Sequence, residues 1–334
     1  MTYSVAIRTL GTSPALRSEL EAIHRQTVLP EKILIYIAEG YNRPEFTVGK
    51  EEYKWVSKGM VRQRALPYED IGSEYILLLD DDVDLAPDTA ELLLKAAEYY
   101  SADCVGADTF KNQEMHIRSK LFAAVTNLVF PRPNDRWAFK IHRNGSFSYN
   151  NNPKDGFYLS QSCAGPAWLC KKDVFLALHF EDELWLDNLG FAFGDDVLET
   201  YKLYKNGFKL GVYYGSGIKN LDAKSSSGSF QKNEKKFYVR SFAAFVLWWR
   251  MIFDFKDQSV LSSLISALSF GFKAVWLLII NTLAAILLRK IKILYYYVKG
   301  IRDGWQFVHS DDYRKSMCSP YLNFLLLLWG LHMN

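Results

Sequence analysis

The 334 residues are 49% hydrophobic and 23% charged, which excludes a disordered chain, a collagen-like repeat and a disulfide-stapled miniprotein. A net charge of +3 does not by itself point to nucleic acid, but the charge is uneven: from Phe272 onward eight Lys and Arg face three Asp, whereas residues 1–271 carry 32 basic against 34 acidic. The basic excess travels with the most apolar stretch, which suits an anionic membrane surface better than DNA.

Short apolar runs at Ser4–Leu10 and Lys32–Ile37 read as strands buried on both faces. The N-terminal segment therefore reads as a strand rather than an export signal, and the sequon at Asn144 as idle. Between the two strands, Ser13-Pro14 offers a helix start. Val61–Leu66 reads as helical up to Pro67, and Tyr75–Leu79 as a strand running into Asp80, Asp81 and Asp82. Asp88 and Glu91 have the spacing of a capping box opening a helix over Thr89–Tyr100. Strand and helix in alternation predict an α/β chain with a mostly parallel, doubly wound sheet, Rossmann-like in layout. No GxGxxG is present, which disfavours nicotinamide and flavin cofactors.

Pro131–Tyr158 is polar, aromatic and turn-rich, and reads as a long binding loop or lid. Strand character returns at Ser162–Leu169, and a helix is expected from Gly194-Asp195-Asp196 to Asn206-Gly207. The four cysteines (Cys104, Cys163, Cys170, Cys318) have no metal-type spacing and read as buried reduced thiols. Residues 1–221 are expected to form a catalytic domain, 222–236 a flexible linker or lid, and 237–334 a helical membrane-associating region. In that last region Ala274–Leu288 is apolar nearly all round. Its fifteen residues would span about 22 Å, short of the roughly 30 Å hydrocarbon core, so a helix lying in one leaflet is favoured over a crossing one. Arg289, Lys290 and Lys292 follow and would reach headgroups. Tyr321–Leu331 is a second apolar patch.

The strongest chemical signal is Leu77-Leu78-Leu79-Asp80-Asp81-Asp82. An apolar strand ending in acids delivers carboxylates to the edge where open α/β sheets bind ligands. Adjacent acids repel, and a hard cation, Mg²⁺ or Mn²⁺, shared with a substrate phosphate is the natural compensation. Asp80, Asp82, Asp84 and Glu91 also have EF-hand spacing, but Leu85 stands where that loop needs glycine. Asp195-Asp196 at a helix N-terminus is a second signal, open to a capping or a proton-accepting role.

In order along residues 3–245, these motifs resemble the family 2 glycosyltransferases, of bacterial polysaccharide-biosynthesis type, which have the GT-A fold. They are Val5–Thr9, Gln26-Thr27 with Pro30–Ile33, Lys58-Gly59 with Arg64-Ala65, Glu74–Ile76 with Asp80–Asp82, Cys163–Leu169, and Gly194–Val197. The tail ending Lys299–Gly304 is similar to those of bacterial members. The resemblance implies an inverting, metal-dependent transfer of a sugar from a nucleotide diphosphate to a hydroxyl of a glycan or polyprenyl-linked glycan. It implies Asp80 and Asp82 for the metal, and Thr9, Glu39, Gly59, Arg64, Asp80 and Asp81 for the nucleotide sugar. It implies Gly165 and Trp168 for the acceptor, and Asp196 before Asp195 as general base. Glu39 stands where the family has a base-reading Asp, the processive Gln-x-x-Arg-Trp motif is absent, and no late histidine ligand is evident, with Asn220 and Asp222 near its expected place. Arg132, Arg136, Lys140, His142 and Arg143 would meet an acceptor diphosphate. The expected site of action is the cytoplasmic face of a cell-envelope membrane, monotopic or with a short embedded hairpin, with homodimer formation left open. A metal-dependent phosphohydrolase and an inactive membrane-bound sugar-nucleotide-binding module are the alternative readings.

Overall fold

The computed structural model describes residues 1–109, 137–150, 153–163, 165–189, 194–221, 234–254 and 259–317. Strands β1 (Tyr3–Thr9), β2 (Ile33–Ala38), β3 (Glu51–Val56) and β4 (Tyr75–Asp80) lie parallel in the order β3-β2-β1-β4. Beyond β4 the sheet continues with β10 (Ala167–Lys171), β6 (Cys104–Ala107), β11 (Leu210–Tyr214) and β9 (Gly156–Leu159). Strands β10 and β9 run against the rest, so six of eight point one way. The α/β class, the mostly parallel sheet and a C-terminal apolar helix are thus as expected.

Alternate residues of each central strand enter opposite faces. Val5, Ile7, Ile33, Ile35, Ile37, Leu77 and Leu79 face helices α1 (Leu16–His24) and α2 (Thr89–Tyr99). Ala6, Leu34, Tyr36, Ile76 and Leu78 face a layer containing Tyr68, Ile71 and Phe175, the last on α3 (Lys172–Leu176). Each fully buried Ile or Leu contributes roughly 1.5–3 kcal/mol, which holds the sheet's carboxyl edge rigid beneath the site.

Several local expectations change. Helix α1 begins at Leu16, because Ser13 Oγ accepts from the Ala15 amide while donating to the Asp81 carbonyl. Val61–Leu66 is a turn rather than a helix, closed by the Gln63 amide on Gly59 O and the Ala65 amide on Val61 O. The capping box does not form: Glu91 instead accepts from Thr27 Oγ1 at 2.8 Å and Lys95 at 2.5 Å. The described part of the long polar loop contains hairpin β7 (Phe139–Ile141) and β8 (Phe147–Tyr149), as well as β9. Residues 222–233 of the expected linker, Arg132, Arg136, Asp222 and Tyr321–Leu331 lie outside the described residues.

A 3₁₀ helix (Phe180–Leu189) and α4 (Asp195–Lys205) lead to β11 and then β12 (Ile218–Asn220), which pairs with β5 (Val83–Leu85). The C-terminal helices are α5 (Lys236–Trp249), continued by a π turn (Arg250–Asp254), α6 (Val260–Leu287), α7 (Lys292–Val308) and α8 (Asp311–Met317). Helices α5 and α7 approach closely because Gly300 and Gly304 face α5; a Cβ on Gly300 would overlap Ser241 Oγ. One apolar cluster joins Leu186, Val197, Leu198 and Tyr201 to Phe242, Val246, Trp248, Phe270 and Val308. The segment carrying Asp195 and Asp196 is therefore packed directly on the C-terminal helices.

Helix α6 overturns the length argument made from Ala274–Leu288 alone. It is 28 residues long with mean hydropathy 1.9, long and apolar enough to cross a membrane, and only 11% of its most apolar window is buried. Leu261, Leu264, Leu268, Phe272, Val275, Ile279, Leu283 and Ile286 recur at helical spacing, and all are exposed.

Candidate active site

Parallel packing brings the ends of β1, β2 and β4 to one edge, and the register sets Arg8 beside Asp80. Arg8 Nε donates to Asp80 Oδ1 at 2.6 Å, and its Nη1 donates to Asp195 Oδ2 at 3.0 Å and to the Met60 carbonyl at 2.7 Å. Arg64, 1% exposed, reaches the same Asp80 oxygen at 2.9 Å and Glu199 Oε2 at 3.4 Å. Its guanidinium lies 5.7 Å from the Trp168 ring centroid. Two arginines thus tie strand β4 to helix α4. Burial alone would raise the Asp80 pKa, but Arg8 and Arg64 hold it below the usual carboxylate range.

Strand β10 runs antiparallel to β4, so it starts at this edge, where the Asp80 amide donates to the Pro166 carbonyl at 2.8 Å. The preceding Gly165, at φ +136°, donates its amide to Asp196 Oδ2 at 2.7 Å. Asp196 Oδ1 accepts from the Val197 amide at 2.8 Å. Burial, then the neighbouring Asp195, push the Asp196 pKa up to about 6 against the pull of Arg64 and these amides. Asp195 is buried, whereas Asp196 is half-buried. Glu199, fully buried one turn further along α4, has its pKa raised to about 8 by burial, which outweighs the nearby Arg64.

Asp187 fixes the turn that carries Arg64. Its carboxylate accepts from the Val61 amide at 3.0 Å and the Arg62 amide at 3.1 Å. A Cβ on Gly59 would overlap that carboxylate, which is why glycine stands there. Gln63 Nε2 bridges the carbonyls of Thr9 and Tyr36 at 2.9 and 3.1 Å, tying the turn to β1 and β2.

Beyond Asp80, Thr9 Oγ1 donates to Asp81 Oδ2 at 2.5 Å and accepts from the Gly11 amide at 2.7 Å. Burial and the adjacent Asp80 raise the Asp81 pKa despite that hydrogen bond. Glu19, on the buried side of α1, has one oxygen on the Val83 amide at 3.4 Å and the other without a partner. Burial first, then Asp81, Asp80 and Asp82, push its pKa well up. Strand β12 sets Asn220 opposite Val83, and the Leu221 amide donates to the Asp82 carbonyl at 2.8 Å.

The metal expectation falls on this group of acids. Among the described residues no three His, Cys, Asp or Glu side chains form a cluster able to hold an ion on their own. The donors suit a hard cation held by one or two carboxylates, the rest of its shell coming from substrate phosphate and water. Asp81 and Asp82, beside the unpartnered Glu19 oxygen, fit that role. Asp80 fits it less well, because its charge is already met by two guanidinium groups.

Thr9, Gly59, Arg64, Asp80, Asp81, Asp82, Gly165, Asp195 and Asp196 converge on this edge through the contacts above. Glu39 stands exposed just past β2, 3.3 Å from Ser57 Oγ. Trp168 departs from expectation: it is fully buried beneath Arg64, so it supports the arginine and cannot line an acceptor pocket. Arg8, Glu19, Asp187 and Glu199 were not singled out from the sequence. For Arg8 and Glu199 the sequence does carry a signal that finds them: an arginine inside an apolar strand, and an acid four residues after Asp195 on one helix face.

The chain matches no protein-family model and no curated protein. Among solved structures it is similar to GalNAc-T7 with UDP, GalNAc and Mn²⁺, at 12% identity and a TM-score of 0.48, over 78% of this chain and 54% of that one. The chain thus spans about half the length of that protein.

Proposed function

We propose that the chain is a glycosyltransferase that moves a sugar from a nucleotide diphosphate to a hydroxyl of a membrane-bound glycan acceptor, with inversion. The observation that carries this reading is the placing, at one sheet edge, of a half-buried Asp196, its pKa pushed up to about 6, beside an acid cluster held by two arginines. Asp196, held by the Gly165 amide, takes the acceptor proton as the acceptor oxygen attacks the anomeric carbon. Arg8 and Arg64 fix Asp80 and Asp195 at the edge where the diphosphate would lie, and Asp187 keeps the Gly59–Arg64 turn in place. A divalent ion on Asp81 and Asp82 would supply Lewis-acid neutralisation of that diphosphate. This assignment differs from the one the family 2 resemblance implies at the metal, which the resemblance gives to Asp80 and Asp82.

The exposed apolar stripe of α6, followed by Arg289, Lys290 and Lys292, supports a chain lying on an anionic membrane. Toward its middle α6 packs on α5, with Phe270 stacked on Trp248 at 4.2 Å between ring centroids, and Lys273 reaches the β7–β8 hairpin. On this reading α6 lies in the plane of the bilayer, with its exposed stripe toward the lipid and its opposite face on α5. The acceptor that fits is a polyprenyl-linked glycan presented at the cytoplasmic face.

A thermal-shift panel of nucleotide sugars with and without Mn²⁺ tests the reading. One donor should stabilise the chain, more strongly with the metal, and Asp82→Asn should abolish the metal's share. Equal shifts for every nucleotide sugar, or none, would overturn it.

A further inference from the structure

Lys273 is the one charged residue of α6, at the middle of a 28-residue apolar helix. Its ammonium donates to the Asn144 carbonyl at 3.3 Å, in the β7–β8 hairpin. Among the described residues no carboxylate pairs with it. Lys140 lies on β7 and His142 just beyond its end; Ser148 is opposite Lys140 in the register and 2.9 Å from His142 Nε2. Burial, then Lys140 and Lys273, hold His142 below its usual pKa, so three basic side chains converge with no acid among them. Asn144 is 1% exposed; its Oδ1 accepts from the Ser146 amide and hydroxyl, but its Nδ2 has no partner.

A cation in an apolar helix and a buried amide N–H₂ without an acceptor are both costly in isolation. Lys140, Asn144 and Ser148 on the hairpin and Lys273 against it all carry donors suited to an anion. The hairpin also connects to the proposed base: Tyr149, on β8, feels the Asp196 charge, and Gly145 packs on Trp248 of α5.

We infer that the junction of the β7–β8 hairpin with Lys273 of α6 is a phosphate-binding site for the head group of a membrane lipid or lipid carrier. The inference deepens the transferase reading by naming the group that anchors its acceptor, yet phosphate binding itself requires no transfer.

Two binding experiments on the full chain test it without using activity. In the first, flotation compares vesicles of phosphatidylcholine alone with vesicles that also contain phosphatidic acid. In the second, inorganic pyrophosphate is titrated against the chain in neutral-headgroup micelles, read by thermal stability. Lys273→Met, which suits an apolar helix, and Asn144→Asp, which sets a carboxylate among the donors, are compared with the wild type. The wild type should prefer phosphatidic acid, and both variants should lose roughly tenfold of that preference while still binding phosphatidylcholine. A Lys273-dependent response to pyrophosphate identifies a carrier diphosphate as the ligand, and one confined to vesicles identifies a lipid head group. If both variants retain the wild-type preference and pyrophosphate response, the site does not exist. A chain that binds phosphate here but transfers no sugar leaves this site standing and removes only the catalytic reading.

Discussion

The amide of Gly165 donates to Asp196 Oδ2 at 2.7 Å, joining the start of an antiparallel strand to the first turn of a helix 31 residues later. That contact holds one carboxylate at the mouth of the site, while its neighbour Asp195 is turned inward to Arg8. Two adjacent acids thereby acquire different environments.

Asp196→Asn should lower transfer by roughly 10²–10⁴-fold with donor affinity little changed, since the amide oxygen still accepts from Gly165 but cannot take a proton. Wild-type kcat should fall as pH drops below about 6, where Asp196 becomes protonated. A pH–rate profile without an acidic limb near that value would remove Asp196 from the role.

Glu199 makes stability pH-dependent in a definite direction. Its folded pKa of about 8 exceeds the ordinary 4.5, so the fold favours the protonated form. The resulting stabilisation is complete below about 4.5 and is lost as pH rises through 8. Glu199→Gln cannot ionise and should flatten the fall in Tm between pH 5 and 8. A variant whose Tm still falls as steeply as the wild type over that window would show the dependence to lie elsewhere.

Asp187→Ala leaves the part-buried Val61 amide of the Gly59–Arg64 turn without its acceptor, at a cost of about 1 kcal/mol, and frees the exposed Arg62 amide to water. Gly59→Ala attacks the same contact from the other side, by overlap. Both should raise KM for the nucleotide sugar more than they lower kcat, because they loosen Arg64 and leave Asp196 in place. Steady-state kinetics on the two variants would decide it.

Truncating the C-terminal helices is a poor probe of membrane binding, since Phe270 and Val308 belong to the core that also contains Val197 and Leu198. Replacing exposed Leu268, Val275 and Leu283 together by Asp leaves that core intact. Binding to phosphatidylcholine vesicles should then fall by more than roughly tenfold at unchanged Tm, about 0.8 kcal/mol being lost per methylene withdrawn from lipid. Sedimentation with vesicles at wild-type levels would assign the stripe to another partner.

The amino-acid sequence by itself determined the strand–helix alternation, the acids closing β4, the helix opened by Asp195-Asp196 and an apolar, basic C-terminal stretch. All are periodic or contiguous patterns, written over a few neighbouring residues. Only tertiary structure decided that Arg8 and Arg64 meet at Asp80, that Asp187 lies against Gly59, that Trp168 is buried beneath an arginine, and that Lys273 reaches the Asn144 hairpin. Those contacts join residues 16 to 129 positions apart, and they arise from strand order and helix packing. A local pattern fixes which face a residue takes, but the neighbour it finds there depends on how distant segments pack.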